Sequence, residues 1–248
     1  MTEKYVTTPS ATNELGQPLD FEVPGWTPRA APPRTMMEGQ YCTVAPLDAD
    51  RDGRELYDAV MHDTDGANWT YLPYGPFATF EAYDEWLRAT CLGDDPLFHT
   101  VRLKDTGEAV GVASLMRIDK ANGVIETGHI HYSPLLQRTP AATETMYLLM
   151  RRVFDELGYR RYEWKCNNLN EASKNAAERL GFTYEGVFRQ MSISKGRNRD
   201  TAWFSILDTE WPPIKAAFEA WLSPDNFDPT GKQRQPLRDC MDKVRPVS

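Results

Sequence analysis

The sequence predicts an α+β (α/β) fold, a single mixed sheet flanked by helices, and three observations carry that expectation. Segments 98–104, 110–118 and 124–132 alternate with period two and are separated by DTGE and DKANG, which have turn chemistry, so they read as an antiparallel meander. The second half then alternates helical and strand periodicities, the pattern of βαβ units. The composition is globular, with 41% hydrophobic and 26% charged residues in 248. No apolar run approaches the roughly 18 residues that cross a bilayer.

Each element has its own signal. Residues 1–39 are rich in Pro, Thr and small polar side chains and read as an extended arm on the body of the protein, with Phe21 and Trp26 as anchors. The domain itself is expected over 40–222, with a tail, 223–248, packed on or beside it. QYCTVAPL, from Gln40, alternates as a strand; Asp48 and Asp50 then open a helix with Leu56, Tyr57 and Val60 at helical spacing. Residues 63–78 hold Trp69, Tyr71, Tyr74 and Phe77 among Asp, Gly and Pro. Rings in such a connection either fold onto the core or wall a ligand pocket. Thr79 N-caps the next helix, whose stripe is Phe80, Tyr83, Trp86, Leu87 and Cys91.

After the meander, Thr139 at the N-cap and Pro140 at the first helical position start a long helix. It runs to about Leu157, with Met146, Leu149, Met150 and Val153 on its core face and Gly158 as its stop. A strand over 159–166 leads to a short helix capped by Asn170 and stopped by Gly181. Next come a strand over 182–194, a GRNRD turn, a strand over 201–208, the helix PPIKAAFEAWL and a polar tail.

Twenty-eight Lys and Arg against 36 Asp and Glu give a net charge of −8, which repels phosphate backbones and anionic lipid. Neither nucleic acid nor membrane is therefore an expected partner. Basic clusters at Arg151, Arg152, Arg160, Arg161 and Lys165, and at Lys195, Arg197 and Arg199, read as solvated or structural faces unless one faces a small phosphorylated ligand. The opening MTEKYVTTPSATNELG has no secretory pattern, so the expected compartment is the cytoplasm. Cys42, Cys91, Cys166 and Cys240 show no CxxC spacing, and His62, His99, His129 and His131 form no helical metal motif; neither a zinc site nor a redox pair is expected.

Chemistry concentrates between Glu126 and Arg189. A strand passes through a polar loop to the Thr139-Pro140-Ala141-Ala142 helix start, whose amides and dipole form an anion site suited to a pyrophosphate. Downstream, Asn170-x-x-Ser173 precedes AAERLGFTYEG, with Gly181, Phe182, Glu185 and Gly186 in place. This arrangement, over roughly residues 40–210, resembles the GNAT N-acetyltransferase superfamily and its ribosomal-protein-alanine acetyltransferase (RimJ/RimL-like) branch.

The resemblance implies a GNAT-like, mostly antiparallel central sheet and direct transfer from acetyl-CoA to an amine in a ternary complex, without metal. It also implies where the cofactor lies. Ile130, His131 and Tyr132 would pair with the pantetheine arm, while Gln137, Arg138, Thr139, Ala141, Ala142 and Thr143 would hold the phosphates. The family's loop is Q/R-x-x-G-x-G/A, and here Pro140 and Ala142 replace its glycines, removing one amide donor and forbidding positive φ at 140. Asn170 and Ser173 would face the cofactor, with Ser173 as proton donor to the leaving thiolate. Glu126 and His131 compete for the role of base, and by the period-two rule they share a face only if a bulge lies between them. Trp69, Tyr71, Tyr74 and Phe77 would wall the acceptor. A small amine suits these features better than a peptide N-terminus, in a monomer or homodimer. The missing glycines leave a non-catalytic acyl-CoA-binding protein as the rival reading.

Overall fold

The computed structural model describes residues 11–244; positions 1–10 of the expected arm and 245–248 of the expected tail lie outside the described residues. A small hairpin, β1 (Ala11–Thr12) and β2 (Pro18–Leu19), precedes an eight-stranded sheet. Its strands are β3 (Met37–Glu38), β4 (Cys42–Pro46), β5 (Leu97–Leu103), β6 (Ala109–Asp119), β7 (Val124–Tyr132), β8 (Arg161–Asn167), β9 (Thr183–Ser194) and β10 (Arg197–Leu207). The spatial order is β3-β4-β5-β6-β7-β8-β10-β9, antiparallel throughout except for the parallel pair β7–β8. This is the predicted α+β class, and the meander over β5, β6 and β7 lies where the turn signals place it.

Helices cover the two faces unequally. On one face, α1 (Ala49–Val60) and α2 (Phe80–Thr90) bury Leu56, Tyr83, Trp86 and Leu87 with Phe98 and Val112 of the sheet. The other face carries α3 (Pro140–Arg151), α4 (Glu171–Arg179), α5 (Trp211–Leu222) and α6 (Leu237–Val244) over a larger core that includes Leu149, Tyr162, Phe204 and Phe218. Helix starts follow the sequence signals. Asp48 accepts from the Asp50 and Arg51 amides, Thr79 from Ala82 and Thr139 from Ala142.

Three details differ from the sequence expectation. The long helix is α-helical only to Arg151, then widens into a π turn over Arg152–Glu156 before Gly158 stops it at φ 68°. The GRNRD segment is not a turn, because β10 starts at Arg197 and only Lys195 and Gly196 make the reversal. The polar tail contains α6, which buries Leu237, Cys240 and Met241 in the large core; short amphipathic helices in polar segments are hidden by their mean composition. Within the arm, Trp26 donates to the Ala121 carbonyl at 2.8 Å and stacks under Arg29. Phe21 is exposed, with the Arg160 guanidinium 5.9 Å from its ring centroid.

One buried carboxylate fixes α3 to the edge of the sheet. Glu144 accepts the amides of Gln40, Tyr41 and Cys42 at 2.6, 2.7 and 2.9 Å, and Gly39 leaves the room a Cβ would take from that carboxylate. Charge-assisted bonds to three amides hold the N-terminal half of α3 in place. That half points at the candidate site.

Candidate active site

β7 and β8 pair only from Val124↔Arg161 to Thr127↔Trp164. Beyond that point β7 continues against β6 and β8 against β10, so the sheet splits and a cavity of about 680 Å³ opens between them. The split coincides with a bulge. Gly128 pairs with Ser114 and His131 with Val112, which places one extra residue on β7, and His129 takes φ 48° to accommodate it.

The bulge answers the question of facing. Ile125 and Tyr132, an odd and an even position, both enter the core under α3, so strand parity inverts between them. Glu126 and His131 consequently share the opposite face, and both line the cavity. Their surroundings differ. Glu126 is buried with Lys165 Nζ 2.8 Å away and Arg117 Nε 3.3 Å away. Burial raises its pKa, against the lowering pull of those two cations. His131 lies against Trp69 with ring centroids 3.8 Å apart and the planes tilted by 37°, and its Nε2 is buried without a hydrogen bond. Burial lowers its pKa to about 4, so the ring is neutral at pH 7 and can offer a lone pair. His129 is bonded through Nδ1 to the Tyr74 hydroxyl at 3.0 Å; burial, then the charges of Arg117 and Arg199, lower it to about 4 as well.

Ser173 is oriented by two bonds. Its amide donates to the Asn170 side chain at 3.0 Å, and its hydroxyl accepts from the Trp164 indole at 3.0 Å. An oxygen that accepts from an indole keeps its own proton to donate, and Ser173 lines the cavity. Trp164 is a residue that sequence reasoning missed. Its position on β8, nine residues before Ser173, offers no motif, and only the packing of α4 on the sheet brings the two together.

At the other end of the cavity lies the start of α3. Arg138 takes φ 62°, so the positive-φ position forbidden to Pro140 has moved two residues upstream. Thr139 Oγ1 occupies the Ala142 amide at 3.2 Å, which leaves fewer free first-turn amides than the sequence suggests. Gln137 is also engaged, donating to Asn68 at 2.9 Å and to the Tyr132 carbonyl at 2.8 Å. Arg179, from α4, donates to Thr143 Oγ1 at 3.0 Å and lines the cavity beside Arg138. Two guanidinium groups thus stand where amides are missing, a donor set suited to phosphate. The backbone of Ile130, His131 and Tyr132 lies along the split.

The aromatic loop needs correction. Of its four rings only Tyr71 lines the cavity. Trp69 is buried against Tyr74 and Phe77, and Phe77 stacks on Trp86, so these three belong to the core under α1 and α2. Aromatic content alone does not separate a wall from a core. The loop nevertheless roofs the cavity, because Tyr71 donates to the Leu169 carbonyl at 3.1 Å and Lys195 to the Trp69 carbonyl at 2.8 Å. Among the described residues no cluster of His, Cys, Asp or Glu is arranged to hold a metal, and no helix is long and apolar enough to cross a membrane.

Comparison with known proteins points in one direction. Residues 43–183 match the family model described as the acetyltransferase (GNAT) domain. A crystal structure of a GCN5-related N-acetyltransferase from Brucella melitensis is 50% identical, covers 89% of this chain and 100% of its own, and superposes with a TM-score of 0.87. A structure from Chromobacterium violaceum, described as a probable acetyltransferase of the GNAT family, is 41% identical with a TM-score of 0.73, covering 78% of this chain and 96% of its own. The curated N-acetyltransferase p20 of Bacillus licheniformis is 29% identical over 116 residues, 45% of this chain, and the match spans 62% of that relative's length.

Proposed function

The chain belongs to the GNAT acetyltransferase family, and from that premise we propose that it transfers the acetyl group of acetyl-CoA to the primary amine of a small molecule, by direct attack in a ternary complex. The observation that carries this reading is the split between β7 and β8, which runs from a cationic, amide-lined end at α3 to a neutral, unpartnered imidazole.

The residues divide the work by position. Arg138, Arg179 and the amides at the start of α3, Ala141 among them, neutralise the cofactor's phosphates. The Gly128–Tyr132 stretch of β7 presents backbone along the split for the pantetheine arm. An ammonium has no lone pair, so a proton must leave the attacking nitrogen. The acceptor therefore attacks as the free amine, its ammonium proton already lost to water; the nitrogen becomes acidic as its bond to the acetyl carbon forms, and the unpartnered His131 Nε2 receives that second proton. Glu126 is held by Lys165 and Arg117, which makes it a charge in a network more than a free base. Ser173, oriented by Trp164, gives its proton to the departing sulfur. The roof over the cavity, latched by Tyr71 and Lys195, excludes water from the thioester and favours a small acceptor over a peptide tail.

The test is an assay of purified protein with acetyl-CoA and a panel of amines, following thiol release and product mass. Amine-stimulated thiol release with an acetylated product supports the reading. Tight acetyl-CoA binding without amine-stimulated release would make the protein a non-catalytic acyl-CoA binder instead.

A further inference from the structure

Five cationic side chains and one carboxylate line the cavity, in a protein whose net charge is −8. Arg138 and Arg179 stand at the α3 end, leaving Arg117, Lys165 and Arg199 at the other. On the open face of β8 and β10 most charges are matched. Lys165 contacts Glu126 at 2.8 Å and Glu163 at 2.6 Å, Arg161 joins Glu163 and Glu185, and Arg117 reaches Glu126. These three cations and three carboxylates balance one another. Arg199 is left over: among the described residues its side chain has no ion pair and no hydrogen bond, and its Nε is buried from water without a partner.

Its position follows from the pairing of β10. Trp203 pairs with Lys165 and Thr201 with Asn167, and although the pairing with β9 is irregular between Arg199 and Thr201, Arg199 lines the same cavity as Thr201, Trp203 and Lys165. Lys165 Nζ lies 3.6 Å over the Trp203 ring. Theirs is the side of the sheet that also carries Glu126 and His131, across the cavity from the start of α3.

We infer that the acceptor amine carries an anionic group, a carboxylate or a phosphate, which Arg199 pairs with at the floor of the cavity. The inference deepens the acetyltransferase reading and rests on it for the identity of the reaction. The Arg199 Nε is cut off from water with nothing to donate to, while the rest of the half-buried guanidinium faces the cavity, and a ligand anion supplies the missing partner. The same cations repel a purely cationic amine, so a zwitterion is the acceptor whose charges fit, with its amine toward His131 and its anion toward Arg199.

The experiment compares matched amines that differ in the anion: glycine with glycinamide, L-phenylalanine with its amide, and phosphoethanolamine with ethanolamine. In the wild type we expect kcat/KM to favour at least one anionic member by about tenfold or more, the worth of one charge-assisted bond. The carboxylate and phosphate pairs show which anion it is. Arg199→Gln should reduce that ratio to within about twofold and Arg199→Lys should restore part of it, with acetyl-CoA affinity and melting temperature unchanged. Equal use of both members of every pair, or a preference that survives Arg199→Gln, overturns the inference while leaving the transferase reading intact. If no amine reacts, calorimetric titration of the CoA-loaded protein with N-acetylglycine, N-acetyl-L-phenylalanine and N-acetylphosphoethanolamine decides. Binding lost in Arg199→Gln sustains the inference although the transferase reading has failed, and binding indifferent to Arg199, or none, overturns it.

Discussion

Ser173 and Trp69 show how one contact sets what a residue can do. With its oxygen already accepting from Trp164, Ser173 keeps its proton to donate at the cavity wall, and the hydrogen bond from its backbone amide to Asn170 holds α4 whether or not the hydroxyl is present. Ser173→Ala should therefore lower kcat by roughly tenfold or more while acetyl-CoA affinity stays nearly constant, the pattern of an interaction made mainly in the transition state. Stopped-flow thiol release alongside calorimetry checks this, and an unchanged kcat would assign the proton to another donor. Trp69 is different, because its ring packs on Tyr74, Phe77 and His131 inside the smaller core. Trp69→Ala should cost about 3 kcal/mol or more in denaturant unfolding, as large-to-small core changes do. Undiminished stability with a raised KM for the amine alone would return the ring to the acceptor wall.

At the level of elements, α3 brings a helix pole to the split, and its cap, Pro140 and the Glu144 anchor determine how much of that pole is free. Ala142 lies in the first turn, where a negative charge suits the helix dipole but opposes a phosphate. Ala142→Asp should thus leave the melting temperature level or slightly raised and weaken acetyl-CoA binding by about tenfold or more, since like charges would meet at close range. Equilibrium binding with a thermal melt on the same sample measures both. Unchanged affinity would place the phosphates elsewhere. β7 is the second decisive element, because its single extra residue rotates His131 onto the face of Glu126 and ends pairing with β8.

For the whole molecule, buried neutral histidines set the response to acid. Burial lowers His99 and His131 to about 4 from an ordinary value of 6.5. The unfolded chain takes up these protons first, so stability is full above pH 6.5 and falls as pH drops toward 4. The linkage is worth on the order of 3 kcal/mol for each of these two rings, with a smaller share from the partly exposed His129. Asp52 adds to the loss at still lower pH. Its desolvation is outweighed by bonds from Arg51, Thr100, the Asp48 amide and Arg102, which lower its pKa, and the stability they confer disappears as it protonates. Chemical denaturation at pH 7.5 and 5 should show a drop of several kcal/mol. Equal stability at both pH values would mean that His99 and His131 protonate as freely in the fold as outside it.

What the sequence determined by itself is local and periodic. Turn chemistry at DTGE and DKANG, the caps Asp48, Thr79, Thr139 and Asn170, and alternation along 124–132 specify the elements, because each acts through neighbours a few residues away. The Asn170–Ser173 spacing was legible for the same reason. Tertiary structure alone decided which side chains face one another. The bulge at His129 reverses strand parity, α4 docks Ser173 onto Trp164, and Trp69, Tyr74 and Phe77 turn inward to the core, leaving Tyr71 to line the cavity. The charge of Arg199 likewise acquires meaning only when β8 and β10 pair and Arg117, Arg161 and Lys165 find carboxylates. These relations join residues on different elements, from nine to more than a hundred positions apart, and no local preference records them.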